Sequence, residues 1–442
     1  MEVSLPEMLE AREQRAFQQM RLIRQYHLPI ISFSLNIPGP VKDSPLIRRG
    51  FEAGVLALDH RLPKGKVIAR QIIHAVTGCE AIYVMNLDAV AAKKITTAIE
   101  DDHPLGRLFD MDVIGLNLQK LDREVVGGKS RNCLICGAPG RSCASRRLHT
   151  VAQLQQKVHD ILSDYFRRKD REKIGSWAVQ SLLDEVCTTP KPGLVDHRNS
   201  GSHQDMDIFT FIASAASLGP YFETCVGIGQ CTQAAPPEET FLKLRQAGLR
   251  AEETMQETTA GVNTHKGAIF TMGLLCGSAG RLWNPEGTWN LSEIFQEISH
   301  MTKKELCSEL NRLGSDTVGE RLYHENGISG IRGEAAAGFP SVETMGLPVF
   351  RQLLAQGLDK NMAGAVTLLH LIANVIDTNM ISRGGLEGAR RGAEAAGRLI
   401  APGHCPTWTE IAALDQQFIA ENLSPGGCAD LLAAVYFVDH FS

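Results

Sequence analysis

The pattern of hydrophobic residues changes at a dense run of charges, Arg167–Lys173 (RRKDREK), a little over a third of the way along the 442-residue chain. Before this run, segments with the two-residue alternation of β-strands lie between segments with the 3.6-residue period of helices. Beyond it, long stretches rich in alanine, leucine and glycine predict helices, and strand-like runs are few. A run of mixed charge is typical of an exposed helix face or a linker. The sequence therefore predicts a multidomain chain, with an α+β domain at residues 1–168 and an all-α domain at residues 169–442.

The first domain is predicted to contain four helices and three strands. The helices are predicted at Pro6–His27, Pro45–His60, Ala89–Glu100 and His149–Phe166, and the strands at Leu28–Ile37, Ala81–Leu87 and Leu108–Leu116.

The charge and the cysteine content of the chain indicate which binding partners and which cellular compartment to expect. The net charge of −5 and pI of about 6.3 give no reason to expect binding to nucleic acid or to an anionic membrane. The polar, acidic start of the chain lacks the features of a secretory signal, and no stretch approaches the roughly 18 apolar residues of a membrane span. The odd number of cysteines, eleven, favours cytosolic thiols or metal ligands over disulfides. We therefore expect a cytoplasmic protein.

Two aspartates lie two residues apart in the apolar segment GRLFDMDVIG. In a strand Asp110 and Asp112 point to the same face, where their carboxylates repel each other unless a cation lies between them. Mg²⁺ has this position in nucleotidyl transfer, where Arg107 would neutralise a leaving pyrophosphate and Lys42 would face a triphosphate. The alternatives are two solvated acids on an edge strand and, at Lys42, an ordinary turn.

A cysteine-rich stretch, RNCLICGAPGRSCASRRLH, precedes the last helix of the first domain. Its candidate Zn²⁺ ligands are Cys133, Cys136, Cys143 and His149. Three of its arginines predict a contact with phosphate or with an acidic partner: Arg141, Arg146 and Arg147. Because the cysteine spacing is tighter than in ordinary zinc fingers, the alternative is a set of reduced thiols beside a basic loop.

The second domain has two short segments of unusual composition, TTPKPGLVDHRNSGSHQDMD and GVNTHKGAIF. Glycines let backbone approach a ligand, lysines bind phosphate, and carboxylates hold Mg²⁺. The segments therefore predict a site for a phosphate-bearing small molecule with a divalent metal. The candidate residues are Lys191, Gly193, Asp196, His203, Asp205, Asp207, Asn263, His265 and Lys266.

The environment of four segments is predicted from signals for helix ends and loops. If a helix starts near Ser202, His203 and Asp207 share a face, although Asp205 then has a second interpretation as a simple cap. The positive charge of Lys266 is unfavourable at the N-terminal, positive end of a helix dipole. A bound anion at this place would offset that cost. Further along, Arg332 and Glu334 lie between glycines, as in a loop that closes over a ligand or in a plain loop. Asp377, Asn379 and Arg383 are expected to end a long apolar helix at a glycine pair, as a motif of the site or as an ordinary helix C-terminus.

Two groups of motifs resemble known families. IISFSLNIPGPVK, GRLFDMDVIG and RNCLICGAPGRSCASRRLH resemble the holo-citrate lyase synthase family, also called apo-citrate lyase phosphoribosyl-dephospho-CoA transferase. LLDEVCTTPKPGLVDHRNSGSHQDMDIFTFI, GVNTHKGAIF, GISGIRGEAAAGFPSV and DTNMISRGG resemble triphosphoribosyl-dephospho-CoA synthase. The two groups of motifs cover nearly the whole chain except the charged run. Their succession in one chain is similar to a fused family that carries both enzymes.

The resemblance implies two consecutive reactions. The second domain would join ATP to 3′-dephospho-CoA with release of adenine, and Mg²⁺ with Lys191 and Lys266 would hold the triphosphate. The first domain, nucleotidyltransferase-like, would transfer the product to a serine of the citrate lyase acyl carrier subunit with loss of pyrophosphate, using Mg²⁺ on Asp110 and Asp112. Two alternatives remain open: the parallel enzymes of malonate decarboxylase, and a non-catalytic nucleotide-sensing regulator with a zinc-stabilised basic loop.

Overall fold

The computed structural model describes residues 2–139, 143, 145, 146, 148–310, 324 and 327–441. It divides the chain into two compact units, Met1–Arg168 with Asn284–Gly287, and Lys169–Trp283 with Thr288–Ser442. The chain is thus multidomain and mostly helical, with one small antiparallel sheet among the described residues.

The first unit is built on a four-stranded sheet. The strands are β1 (Ile30–Leu35), β2 (Val67–Ile73), β3 (Glu80–Met85) and β4 (Phe109–Ile114). They lie in the order β2-β3-β1-β4, and each neighbouring pair is antiparallel. Three of these strands match predicted ones, whereas β2 was not predicted because its residues, VIARQII, are only partly buried. The helices are α1 (Leu5–Tyr26), α2 (Pro45–Arg61) and α3 (Ala89–Asp102).

One helix, Val151–Cys187, runs through the charged segment that was interpreted as a helix face or a linker. The predicted helix end at Phe166 is therefore wrong. The helix continues because no proline or glycine cap interrupts the sequence after Phe166, and apolar residues recur beyond it. Ile174, Ala178 and Leu182, which follow the charges, are buried in the core of the second unit.

Every regular element in the described part of the second unit is helical. After Val151–Cys187 the helices are Ile208–Ser217, Gly219–Cys231, Pro237–Thr258, Lys266–Arg281, Leu291–Leu310, Gly330–Ala336, Leu347–Ala355, Lys360–Asn374, Thr378–Leu399, Trp408–Ala420 and Gly426–Asp439, with a single π-helical turn at Val342–Gly346.

The helix Lys266–Arg281 lies in the centre of this unit, and nearly all of its residues from Ala268 to Gly280 are buried. Its glycines allow very close packing. A Cβ on Gly280 would lie 2.2 Å from the carbonyl oxygen of Val226, so only glycine fits there. Close packing fixes the start of this helix, at Lys266, relative to its neighbours.

None of the described helices is by itself long and apolar enough to cross a bilayer. The helices Lys360–Asn374 and Thr378–Leu399 meet the length and composition criteria only as a pair, bent by 57°.

Candidate active sites

A polar cavity of about 490 Å³ in the second unit surrounds the start of helix Lys266–Arg281. The sequence-predicted residues that line it are Lys191, His203, Asp205, Asn263, His265, Lys266 and Glu334. These residues come from separate segments of the chain, which the helical packing brings to one place. Four other candidates do not line it: Gly193, Asp196, Asp207 and Arg332.

Lys191 lies deep in the cavity wall, with only 2% of its surface exposed. Its Nζ atom is 2.5 Å from Oε1 of Glu185, a residue near the end of helix Val151–Cys187. Burial raises the pKa of Glu185, and the charge of Lys191 acts in the opposite direction. Removing either partner would leave an unpaired buried charge, which is far costlier than losing an exposed pair. The pair therefore fixes an ammonium group at the cavity.

Asp196 and Gly193 build the loop that presents Lys191. The carboxylate of Asp196 accepts hydrogen bonds from the backbone amides of Lys191, Arg198 and Asn199, at 2.7 to 3.1 Å. Gly193 has φ +70°, and a Cβ there would lie 2.2 Å from the carbonyl oxygen of Leu423. The loop conformation requires both residues, and neither lines the cavity that most of the other candidates line.

The helix after this loop begins later than predicted. It spans Ile208–Ser217, and Asp207 is its N-cap, with Oδ1 accepting a 2.9 Å hydrogen bond from the Thr210 amide. The predictions that His203 and Asp207 share a helix face, and that Asp205 caps it, are therefore wrong. Asp207 competes better for the cap because Thr210 completes a capping box with it. Its exposed carboxylate is not part of the cavity, so it is not retained as a catalytic or Mg²⁺-binding residue.

His203 and Asp205 precede that helix and lie at the cavity mouth. Nε2 of His203 is 3.0 Å from the Ser424 hydroxyl, and its Nδ1 is 3.1 Å from Nη2 of Arg383. Burial and the Arg383 charge lower the pKa of His203, although the nearby Asp205 carboxylate opposes them. A neutral imidazole can accept a hydrogen bond from the guanidinium, which orients both groups. Arg383, which was predicted only to lie at a helix end, lines the cavity.

His265 is the residue before helix Lys266–Arg281 and is 3% exposed. Its Nδ1 is 2.8 Å from the Ser214 hydroxyl, and Phe211 packs edge-on against the ring. The other ring nitrogen, Nε2, is buried and has no hydrogen-bond partner among the described residues. Burial lowers the pKa of His265 to about 3, so the ring is neutral at physiological pH. A buried polar atom without a partner, in a residue that lines a cavity, is expected where a ligand completes the hydrogen bonding.

Two buried acids of the cavity were not predicted as site residues. Asp377 caps helix Thr378–Leu399, and its carboxylate also accepts a hydrogen bond from the Cys428 amide, so the expected helix C-terminus at Asp377 is wrong. Asp430 lies in the largely apolar helix Gly426–Asp439. Burial, together with Glu185 and Asp377, raises its pKa well above the usual range.

Asp430 is also unusually close to the central helix. A Cβ on Gly267 would lie 1.9 Å from Oδ2 of Asp430, so the glycine makes room for the carboxylate beside the first turn of that helix. The sequence signal that could have revealed Asp430 is one acid in the run GGCADLLAAVYFV, where a helix core has no use for a charge.

The segment around Arg332 and Glu334 is a short helix, Gly330–Ala336, rather than the predicted loop. Glu334 lines the cavity, and its carboxylate accepts hydrogen bonds from the amide and hydroxyl of Ser341. Arg332 instead lines a neighbouring groove. Residues two apart on a helix point in different directions, which explains the separation.

In the first unit, Asp110 and Asp112 lie on β4 and point to the same face, as predicted from their spacing. Their partners on β1 are Ser34 and Ser32. Burial, and then the charge of Asp112, raises the pKa of Asp110, while Asp112 forms an ion pair with Lys120. Two carboxylates in this relation are an oxygen-ligand pair for a divalent cation.

Asp110 and Lys42 line one small cavity of about 140 Å³. Arg12 and Arg15 of α1 add two more cationic side chains to its wall. Arg15 is paired with Glu80, and Lys42 donates a hydrogen bond to the Ile37 carbonyl. Burial lowers the pKa of Lys42. Cations opposite a carboxylate suit a phosphate chain bound together with a metal.

Arg107 does not line that cavity, contrary to its predicted pyrophosphate contact. Its guanidinium donates a hydrogen bond to the carbonyl of Asn132, at the start of the cysteine-rich stretch. The neighbouring Arg131 forms a 2.5 Å ion pair with the buried Glu100, which also accepts a hydrogen bond from the amide of Met111, between the two aspartates. The cysteine-rich stretch is thus connected directly to β4.

The four residues predicted as zinc ligands come together. One ligand atom from each of Cys133, Cys136, Cys143 and His149 lies within 4.8 Å of the others. The sulfur of Cys143 is 3.4 Å from that of Cys133 and 4.0 Å from that of Cys136. Tetrahedral Zn²⁺ with Zn–S bonds of ~2.3 Å places sulfurs ~3.8 Å apart, which agrees with this geometry.

The local backbone favours a metal-binding thiolate. The amides of Cys136 and Ile135 donate hydrogen bonds to the sulfur of Cys133 and lower its pKa to about 6. Gly137, with φ +71°, closes the turn after Cys136. Nε2 of His149 is buried without a hydrogen-bond partner among the described residues. Of the three arginines predicted as phosphate contacts here, Arg146 is exposed. The other two, Arg141 and Arg147, lie outside the described residues.

Two family models match the chain in succession. Residues 3–165 match the model described as "Apo-citrate lyase phosphoribosyl-dephospho-CoA transferase", and residues 171–442 match "ATP:dephospho-CoA triphosphoribosyl transferase". A curated CitXG protein from Leuconostoc mesenteroides is 33% identical over 99% of this chain and 97% of the relative. A CitXG protein from Haemophilus influenzae is 34% identical over 98% of this chain and 96% of the relative. The chain belongs to the CitXG family.

The second part also has relatives that lack the first. A 2-(5″-triphosphoribosyl)-3′-dephosphocoenzyme-A synthase from Klebsiella pneumoniae is 41% identical over 61% of this chain and 91% of the relative. Membership of the CitXG family makes the chain a bifunctional transferase, with each family region carrying its own polar cavity.

Proposed function

We propose that this protein synthesises the prosthetic group of citrate lyase and attaches it to the enzyme's acyl carrier subunit. The observation that carries the proposal is the pair of family matches, which together span almost the whole chain in the order of the CitXG relatives. We assign residues 169–442 to the synthase reaction and residues 1–168 to the transfer reaction. ATP and dephospho-CoA are both cytoplasmic metabolites, so we place the reactions in the cytoplasm.

In the second unit, the 2′-hydroxyl of dephospho-CoA attacks C1′ of the ATP ribose. A bond forms between that oxygen and C1′, the bond from C1′ to adenine breaks, and adenine leaves with the proton. Positive charge develops on the ribose, as in glycoside hydrolysis, so a nearby carboxylate stabilises the transition state. We assign this role, and acceptance of the hydroxyl proton, to Asp430, because its carboxylate faces the cavity beside the first turn of the central helix.

The triphosphate needs cationic partners. Lys191 is held by Glu185 at the cavity, and Lys266 and Arg383 add positive charge at its mouth. Asp205 is the remaining predicted acid at the mouth, and it is the residue that we propose to hold Mg²⁺, which would neutralise charge on the phosphates. Asn263 and the unpartnered Nε2 of His265 supply polar contacts for the ribose or base.

In the first unit, the serine hydroxyl of the carrier attacks the α-phosphorus of the triphosphoribosyl group. The oxygen–phosphorus bond forms as the bond to the pyrophosphate breaks, and pyrophosphate leaves together with the serine proton. Asp110 and Asp112 would hold Mg²⁺, which supplies charge neutralisation on the phosphate oxygens. Lys42, Arg12 and Arg15 line the same cavity as Asp110 and bind the phosphates. The nucleophile belongs to the carrier, so no serine of this chain is required.

A dependence on both substrates tests the synthase reaction. Purified protein should release adenine from ATP only when dephospho-CoA is present, and chromatography of the small molecules measures it. Release without dephospho-CoA, or none with both substrates and Mg²⁺, contradicts the proposal. A carrier that is modified only when it comes from malonate decarboxylase would move the assignment to that enzyme, and nucleotide binding without any product would favour a regulator.

Lys266→Ala is expected to raise the KM for ATP about tenfold and to change kcat little. A phosphate contact persists in both ground and transition states, so its loss mainly weakens binding. Lys266 is exposed at the cavity mouth and paired with Glu252 at 2.9 Å, so its removal leaves no buried charge. Steady-state kinetics of adenine release measure the effect, with Lys243→Ala, an exposed lysine paired with Glu239, as the control. A lower kcat with an unchanged KM would be inconsistent with this role.

We also propose that the cysteine-rich stretch binds one Zn²⁺ through Cys133, Cys136, Cys143 and His149. A site with four protein ligands and no open position stabilises structure rather than reacting with substrate. Its connections through Arg107 and Arg131 to β4 indicate that the metal holds this stretch against the strand that carries Asp110 and Asp112.

Elemental analysis of protein purified without chelators should give one zinc per chain. Cys143→Ser should lose the metal, because a neutral hydroxyl replaces a thiolate ligand, whereas Cys405→Ser, at an exposed cysteine of the second unit, should retain it. Metal-free wild-type protein would leave reduced thiols as the correct interpretation.

A further inference from the structure

A second cavity, a groove of about 370 Å³, lies beside the polar cavity of the second unit. The two share Lys266, Gly267 and Ile331 as lining residues. The two cavities are therefore neighbours at the first turn of helix Lys266–Arg281. A ligand that occupies both would bend around that turn.

The groove lacks the Lys191, Asp377 and Asp430 side chains that line the polar cavity. Apolar side chains contribute much of its wall, among them Leu244, Leu249, Ile269, Phe270 and Leu306. Four of its five charged side chains are paired with one another, Lys266 with Glu252 and Arg245 with Glu309. A binding site of this type suits an uncharged, extended group rather than a phosphate chain.

We propose that this groove binds the pantetheine arm of dephospho-CoA while the adenosine end of the same molecule lies in the polar cavity. The inference rests on the proposed synthase reaction and deepens it. The arm has two amides, a dimethyl carbon and a thiol, and it carries no charge at neutral pH. ATP has no such arm. The groove would therefore distinguish dephospho-CoA, which accepts the triphosphoribosyl group, from ATP, which donates it.

The place where the polar cavity meets the groove has the positive charge that the diphosphate of dephospho-CoA requires. In dephospho-CoA a diphosphate joins the adenosine to the pantetheine arm. Lys266 lines both cavities, and Arg332 lines the groove next to Ile331. Because Lys266 is assigned to the ATP triphosphate, Arg332 is the cation that matches the diphosphate of dephospho-CoA where the polar cavity meets the groove. Arg332, which does not line the polar cavity, would thus contact dephospho-CoA.

Gly248 offers a way to fill the groove without disturbing its wall. It lies on helix Pro237–Thr258, and a Cβ there would meet only the Tyr221 hydroxyl at 3.6 Å and the Ile269 side chain at 3.9 Å, which are ordinary contacts. Gly248→Leu therefore places a side chain in the groove, and leucine also favours a helix more than glycine does. Gly397→Leu is the matched control, because Gly397 is also helical and its Cβ would meet only Ala373, at 3.8 Å.

Calorimetric titration of the full-length protein with dephospho-CoA, ADP and ATP tests the proposal. Gly248→Leu should weaken binding of dephospho-CoA at least about tenfold. It should bind ADP, which lacks the arm, and ATP as the wild type does, and Gly397→Leu should bind all three normally. Unchanged dephospho-CoA binding by a folded Gly248→Leu protein overturns the groove assignment, as does an equal loss of ADP binding. Absence of adenine release by the wild type would instead refute the synthase reaction itself.

Discussion

Asp110→Asn and Asp112→Asn should each reduce transfer of the prosthetic group to the carrier by about 10²-fold or more, and leave adenine release unchanged. The physical reason is that asparagine is nearly the same size but lacks the negative charge that holds a divalent cation between two strand neighbours. Both side chains lie on one face of β4, and Asp110 opens into a cavity lined by three cationic side chains. The two half-reactions are measured separately, by carrier mass and by free adenine.

Asp101→Asn is the control for these variants. Asp101 is an exposed acid of the same unit, paired with Arg123, and it contacts neither cavity. Its replacement should leave both half-reactions intact. Equal loss of both half-reactions in the Asp110 variant would contradict the separation of the two activities between the two units.

Asp430→Asn should decrease adenine release by about 10²-fold or more while ATP still binds. The change keeps the shape that fits against Gly267 but removes the charge that would stabilise a cationic ribose and accept a proton. The effect should therefore appear in kcat, since the charge develops in the transition state. Transfer of ready-made triphosphoribosyl-dephospho-CoA to the carrier should not change, because that step belongs to the first unit.

The same helix supplies a matched control for Asp430. Asp439 lies near its C-terminal end and pairs with Arg351 at 2.8 Å, away from the cavity. Asp439→Asn should retain full activity. If Asp430→Asn were fully active, or raised only the KM for ATP, Asp430 would not have the assigned role.

Periodicity alone predicted most of the first unit. The three predicted strands and the predicted helices near Leu5, Pro45 and Ala89 are present within a few residues. The strand β2 was missed because none of its residues is fully buried, so no strict hydrophobic alternation marks it in the sequence. The helix end at Phe166 was wrong because a charged run was interpreted as a break, although charges on successive helical turns are compatible with a continuous helix.

Predictions about the site succeeded where ligands lie close in sequence and failed where the fold brings them together. The four metal-binding candidates around Cys133 belong to one stretch, so their proximity follows from local geometry. Lys191 was identified from its motif, but the acid Asp430 comes from a largely apolar helix near the other end of the domain. A single acid in an apolar run indicates a special role, but which cavity it faces depends on how the helices pack.

Other residues were predicted as site residues although the structure gives them a local structural role. Asp196 and Asp207 were chosen as functional acids, yet one fixes a loop and the other caps a helix. Short acidic side chains serve both purposes, and only the hydrogen-bond partners distinguish them. The interpretation of Asp207 depended on where the helix begins, and boundaries are the least reliable part of a sequence-based prediction.

The intact mass of the citrate lyase acyl carrier protein tests the central claim most directly. The apo-carrier is incubated with this protein, ATP, dephospho-CoA and Mg²⁺, and then measured by mass spectrometry. The proposal predicts one added phosphoribosyl-dephospho-CoA group on a single serine, with equal amounts of adenine and pyrophosphate released. A carrier of unchanged mass, alongside full consumption of ATP and dephospho-CoA to the free triphosphoribosyl product, would contradict the claim that one chain performs both reactions.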